Sequence, residues 1–195
     1  FALAPDLGLD KVMIYRIDAA SGRLLPNEPA FGQTDPGAGP RHMKFSPDGK
    51  FAYVLNELTN TVAVFAWDAE AGRLDPVQSI STLPEGYDKE NTSAEIRVHP
   101  NGKHVYTSNR GHDSIAVFDV DAATGKLTAK GQVPTGGKTP RNFALDPTGA
   151  FLLAANQGSG TVVLFRVDPS TGVPAATSEV VNVPVAVCVT FSPAP

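Results

Sequence analysis

Cysteine is nearly absent. A single Cys188 among 195 residues excludes an internal disulfide and any cluster of cysteine metal ligands. Lying in VAVCVTF, it is expected to be a buried strand residue, the usual place of a free cysteine. Charge is sparse as well: 18% of residues are charged and the net charge is −4, so no basic face is offered to nucleic acid. No run of eighteen apolar residues occurs, and no membrane span is expected. Windows of helical length lack the apolar spacing of three and four that an amphipathic helix requires. The chain opens on Phe1 inside a strand pattern, so any targeting peptide would lie upstream. The compartment is left open, with the cytoplasm favoured.

What the chain has in quantity is punctuation, with 17 prolines and 18 glycines, and it is arranged in a repeat. FALAPDLGLDKVMIYRIDAASGRL begins at Phe1, FAYVLNELTNTVAVFAWDAEAGRL at Phe51, HVYTSNRGHDSIAVFDVDAATGKL at His104 and FLLAANQGSGTVVLFRVDPSTGVP at Phe151. A recurrence of about fifty residues lies in the range of β-propeller blades.

Each copy reads as four short strands. Pro47-Asp48-Gly49, Pro100-Asn101-Gly102 and Pro147-Thr148-Gly149 join two apolar runs, and Pro at the second turn position with Gly at the fourth suits a type I turn. A polar loop follows, then an alternating run such as Thr61 to Phe65, whose period of two marks a strand. An Asp closes it at 18, 68, 121 and 168, with a Gly four residues on at 22, 72, 125 and 172, where a tight turn calls for positive φ. The fourth strand then runs outward, as over Leu74 to Ile80 or Leu127 to Val133. Four-stranded antiparallel units repeated along a chain bury their faces most simply by radial stacking. The fold class is therefore all-β, a β-propeller with about four blade equivalents.

One domain is expected over residues 1–195. Its start reads as a second strand, and Val185 to Phe191, before Ser192-Pro193, reads as a first strand. Three whole blades would then stand beside three strands at one end and one at the other. Either four blades close on themselves, or the chain is the C-terminal part of a longer ring. In the second case an open edge invites self-association.

In a blade the first strand lines the channel, and its start shares a rim with the loop between strands two and three. Aligning the turn prolines places Arg41-His42, Ala94-Glu95, Arg141-Asn142 and Val187-Cys188 at matching first-strand positions. The loops add Asn56-Glu57, Asn109-Arg110-Gly111-His112 and Asn156-Gln157. The recurring Asn56, Asn109 and Asn156 are read as structural turn residues. Residues that differ between copies, since a scaffold would repeat itself, or that carry charge toward the channel mouth suit a ligand better: Arg41, His42, Glu57, Glu95, Arg110, His112 and Arg141. Asp113 is expected to fix His112 within its turn. His99 and His104 fall at the opposite end of the blade. The loop from Leu83 to Thr92 leads onto the rim, either as a cover for a ligand or as a solvated connector. Gly136-Gly137-Lys138-Thr139 lacks the earlier glycine of a phosphate loop, since Gln132 stands there, and no helix follows; its amides remain candidates to face an anion beside Arg141. Trp67-Asp68 resembles a WD dipeptide, but only the Asp recurs.

GPRHMKFSPDGKFAYVLNE, SAEIRVHPNGKHVYTSNRGHDSIAVF and GGKTPRNFALDPTGAFLLAANQ resemble the seven-bladed propeller lactonases, the group that includes one class of 6-phosphogluconolactonase. The resemblance implies a seven-bladed ring of roughly 350 residues, of which this chain would be the C-terminal half or slightly more, and hydrolysis of a sugar lactone without metal or other cofactor. It places site positions at Arg41, His42, Glu57, Glu95, Arg110 and Arg141. Chemically, Glu57 or His42 is the candidate base toward water. Arg41, Arg110 and Arg141 are candidates for the oxyanion or a substrate phosphate, with Glu95, His112 and Asn142 completing the substrate-binding set. The expected partner is a small-molecule lactone. The competing reading is a non-catalytic propeller that binds a partner on the same rim.

Overall fold

The structure, a computed structural model, describes residues 1–192. The described residues form fifteen strands and no helix. β1 (Ala2–Asp6), β2 (Lys11–Asp18) and β3 (Arg23–Gln33) make a three-stranded sheet. Three four-stranded antiparallel sheets follow: β4 (Pro40–Phe45), β5 (Phe51–Asn56), β6 (Thr61–Asp68) and β7 (Arg73–Ser81); β8 (Thr92–Val98), β9 (His104–Arg110), β10 (Ser114–Val120) and β11 (Leu127–Pro134); β12 (Pro140–Leu145), β13 (Phe151–Asn156), β14 (Thr161–Val167) and β15 (Pro174–Asn182). In each the strands are ordered as in the sequence, and the first strands β4, β8 and β12 pack beside one another with β1 against β4.

The middle strands are buried on both faces, because side chains pointing to opposite sides of a sheet enter different cores. From β5, Tyr53 and Leu55 pack with Val105, Ala116 and Phe118 of the next blade, whereas Ala52 and Val54 pack with Val12 and Ile14 of the preceding one. Val105 and Tyr106, adjacent in β9, likewise divide between two cores. Ile17, Leu24, Val180 and Val181, on the end blades, stay exposed.

The recurring Asp and Gly have a local cause. The Asp68 carboxylate accepts from the Glu70 and Ala71 amides at 3.0 and 2.9 Å, while Gly72 N–H donates to the Asp68 carbonyl at 2.8 Å. Asp18, Asp121 and Asp168 repeat the arrangement, and φ near 70° falls on the glycine each time. The turns also join blades. Asn27 Nδ2 donates to the Gly72 carbonyl at 2.8 Å, Gln78 exchanges two hydrogen bonds with the Leu127 backbone, and Tyr106 Oη donates to the Gly172 carbonyl at 2.7 Å.

The carboxy-terminal end departs from expectation. Residues 183–192 form no strand, so β1 gains no first-strand partner, and a lone extended segment has little to hold it. Cys188 consequently lies exposed rather than in a core. The turn expected at Ser192-Pro193 runs outside the described residues.

Candidate functional site

β4, β8 and β12 each carry a break in the ladder at the same place. Pairing to the second strand skips between Pro40 and His42, between Ser93 and Ile96, and between Pro140 and Asn142. Arg41, Ala94 with Glu95, and Arg141 are the residues left out, and a bulge re-aims side chains in this way. The segments feeding these strands are held from the preceding blade. Asp10, at φ 55°, accepts from the Gly37 and Gly39 amides at 2.7 and 2.9 Å, and Asp113, also at φ 55°, accepts from Thr139 N–H at 2.8 Å. Asp113 thus occupies the Thr139 amide, and Ser159 Oγ takes Lys138 N–H at 3.1 Å; these two amides of the Gly136–Thr139 segment are not available to an outside anion.

Two clusters result. In the first, Glu57 is clasped by two guanidiniums: Arg41 reaches Glu57 Oε2 at 3.1 Å and Arg110 bonds Glu57 Oε1. Arg41 Nε also donates to the Ala94 carbonyl at 2.8 Å, and Arg110 to the Thr92 and Ser93 carbonyls. Burial pushes the Glu57 carboxyl up, but Arg110 and Arg41 outweigh it and hold the group below the usual carboxylate range.

The second cluster is built on Glu95, only 3% exposed. His42 Nδ1 lies 3.3 Å from Glu95 Oε1, which also accepts from Ile96 N–H at 3.0 Å. Asn142 Nδ2 donates to Glu95 Oε2 at 2.6 Å and Arg97 approaches the same oxygen at 3.5 Å. Burial raises this carboxyl, but His42, Arg97 and the Ile96 amide together hold it below its ordinary value. His42 thus meets Glu95 through Nδ1, and its side chain is 40% exposed.

The clusters border two clefts. One, of about 540 Å³, is lined by Arg41, His42, Lys44, Glu95, Arg97 and Asn142, with Cys188 at its edge. The other, of about 550 Å³, is lined by Arg110 and Arg141 together with Glu90, Asn91 and Thr92 from the end of the long loop. His112 lines neither: its Nδ1 lies 2.7 Å from Ser114 Oγ, not on Asp113, and its ring stands edge-on to Tyr87 at 4.9 Å. Asn56, Asn109 and Asn156 are fully buried: Asn109 Nδ2 donates to the Thr82 carbonyl at 2.9 Å and Asn156 Nδ2 to the Thr135 carbonyl at 3.1 Å, Asn56 Nδ2 donates to Thr61 Oγ1 at 2.9 Å across its own hairpin, and the Oδ1 atoms of Asn56 and Asn156 accept no hydrogen bond. His99 and His104 sit at the other end, His99 Nε2 being 3.1 Å from the Gly149 carbonyl and His104 Nδ1 2.9 Å from Asp119. Lys44 and Arg97 were not expected at the site. The signal for them is parity, since each stands two residues beyond His42 or Glu95 in the same strand. Among the described residues, no three His, Cys, Asp or Glu side chains converge as metal ligands would.

The family model described as "Lactonase, 7-bladed beta-propeller" matches residues 1–191. The 6-phosphogluconolactonase of Bacillus subtilis (strain 168) is 40% identical over 146 residues, which cover 75% of this chain and 41% of that protein. The periplasmic gluconolactonase of Pseudomonas aeruginosa superposes with a TM-score of 0.93 at 38% identity, over 99% of this chain and 54% of that one. A putative 6-phosphogluconolactonase from Bacteroides fragilis NCTC 9343 gives 0.90 at 35% identity, over 98% and 54%. The chain spans about half the length of the relatives it matches.

Proposed function

Since the chain belongs to the seven-bladed β-propeller lactonase family, we propose that it opens a sugar lactone, 6-phosphogluconolactone to 6-phosphogluconate, at the cleft bordered by His42. The observation that carries this reading is that His42, a half-exposed residue lining the cleft, has its Nδ1 held by the buried Glu95 at 3.3 Å. That is the arrangement of a general base and the group that orients it. Glu57 is the weaker candidate for base, because two guanidiniums stabilise its charged form.

In the proposed reaction His42 Nε2 removes a proton from water as the water oxygen attacks the lactone carbonyl carbon. Negative charge gathers on the carbonyl oxygen, where Arg41, fixed between the Ala94 carbonyl and Glu57, is placed to stabilise it. Collapse of the tetrahedral intermediate breaks the bond to the ring oxygen, which takes the proton back from His42 and becomes the hydroxyl of the open acid. Glu95 acts through His42 as a positioning residue, and Asn142 steadies Glu95.

The test is release of acid from 6-phosphogluconolactone, followed against spontaneous hydrolysis. Acceleration by the protein is expected, with His42→Gln lowering kcat by about 10²–10⁴-fold, the usual contribution of a general base, and Arg41→Ala lowering it further. Full activity in His42→Gln would remove His42 from its role. No acceleration by the unaltered protein would remove the enzymatic reading and leave a propeller that binds a ligand on its rim.

A further inference from the structure

We infer that Lys44 and Arg97 form a subsite for the phosphate of a phosphorylated sugar lactone and so set the preference for phosphorylated over plain substrate. The inference rests on the lactonase reading above and adds to it the residues that decide between substrates.

His42 and Lys44 share one face of β4, Glu95 and Arg97 one face of β8, and all four line the same cleft. The charges acting on Lys44 are those of Arg97 and Glu95, and Arg41, His42 and Cys188 line the same cleft. Glu95 is already engaged by His42, Arg97, Asn142 and the Ile96 amide. Among the described residues no carboxylate bridges Lys44. Burial, and then the neighbouring Arg97 charge, push the Lys44 ammonium down. A half-buried cation that shares its cleft with a second cation is electrostatically unfavourable, and a bound dianion would relieve it. Arg97 is steadied for that task by its Nε hydrogen bond to the Phe143 carbonyl at 3.2 Å. Its guanidinium has five N–H donors in all, more than its protein partners use.

The spacing also fits. Two residues along a strand span roughly 6–7 Å, comparable to the reach from a lactone carbonyl carbon, set over His42, to a phosphate on the exocyclic carbon. In the other cleft Arg110 is already engaged by Glu57 and two carbonyls and Glu90 adds negative charge, which leaves Arg141 alone to meet an anion, whereas Lys44 and Arg97 offer two cations together.

Binding of 6-phosphogluconate and of gluconate is measured by calorimetry, beside hydrolysis of the two corresponding lactones, for the unaltered protein and for Lys44→Gln, Arg97→Gln, Lys44→Arg and the exposed control Lys50→Gln. The phosphorylated ligand is expected to bind at least tenfold tighter. Lys44→Gln and Arg97→Gln should each cut that preference about tenfold with gluconate binding little changed, while Lys44→Arg and Lys50→Gln retain it. Should Lys44→Gln fail to fold, judged by circular dichroism, Lys44→Met keeps the alkyl stem and serves instead. Equal binding of the two ligands by the unaltered protein, binding of neither, or a preference untouched by both substitutions overturns the subsite. Hydrolysis of both lactones without a phosphate preference overturns it too, while the lactonase reading stands. A phosphate preference sensitive to Lys44 in a protein that hydrolyses neither lactone supports the subsite and ends the lactonase reading instead.

Discussion

Replacing Glu95 with Gln isolates what the buried carboxylate does, because shape is kept and charge removed. Each Glu95 oxygen faces two donors: His42 and Ile96 N–H at one, Asn142 Nδ2 and Arg97 at the other. An amide has one acceptor oxygen, so whichever way it is turned its NH₂ confronts two donors. Leaving two donors unmatched at about 1–3 kcal/mol each gives a loss of roughly 2–6 kcal/mol, toward the lower end because His42 and Arg97 are partly exposed. At about 2–4 °C per kcal/mol for a chain of this size, the unfolding midpoint should fall by roughly 4–24 °C. The effect has a defined pH signature. The Glu95 carboxyl lies below its ordinary value of 4.5 in the folded protein. Its stabilisation is therefore complete above that value and lost as pH falls through the lower folded one. Thermal and urea unfolding of both proteins between pH 7 and pH 3 should show a gap that closes on acidification. An equal midpoint at pH 7, or a gap that widens in acid, would refute the assignment of Glu95 as an ionised, fully engaged hub.

Other outcomes are equally definite. Gly125→Ala should destabilise by about 2–5 kcal/mol, since a Cβ there would clash with the Phe51 ring with φ at 71°, adding overpacking to backbone strain; Gly22→Ala, at φ 69° with open space around it, should cost only the strain of about 1–2 kcal/mol, and chemical denaturation of the pair distinguishes them. Tyr106→Phe removes the donor to the Gly172 carbonyl and should cost about 1–3 kcal/mol in the same assay. Cys188, being exposed, should react with an aromatic disulfide reagent in the native protein as fast as in urea; slow modification would contradict its placement.

Much of the architecture is legible in the sequence because it is set by local chemistry. The Asp and Gly four residues apart satisfy one turn's amides within a five-residue span, so the same pair marks the same turn in every copy. The site was legible in part. Arg41 meets Glu57, and His42 and Asn142 meet Glu95, but the His42–Glu95 and Arg110–Glu57 pairings join residues about fifty positions apart, and no local pattern encodes these. Lys44 and Arg97 could have been found by strand parity; the bulges beside them could not. The expectation for VAVCVTF failed for a related reason, since strand-forming composition needs a neighbouring edge to pair with, and β1 and residues 183–192 do not meet as strands. His112 was placed on the correct loop, yet Ser114 and Tyr87 hold it away from both clefts.

The skipped residues of β4, β8 and β12 bear on how such a scaffold can diversify. A regular ladder offers a central pore only every other side chain, and changing the residue in between disturbs a packed interior. Where the count slips by one, consecutive positions such as Arg41 and His42 both come to line one cleft, and the skipped residue is left out of the ladder. Substrate range can therefore shift at these few points while the remainder of each blade, and the machinery of its folding, stays as it was.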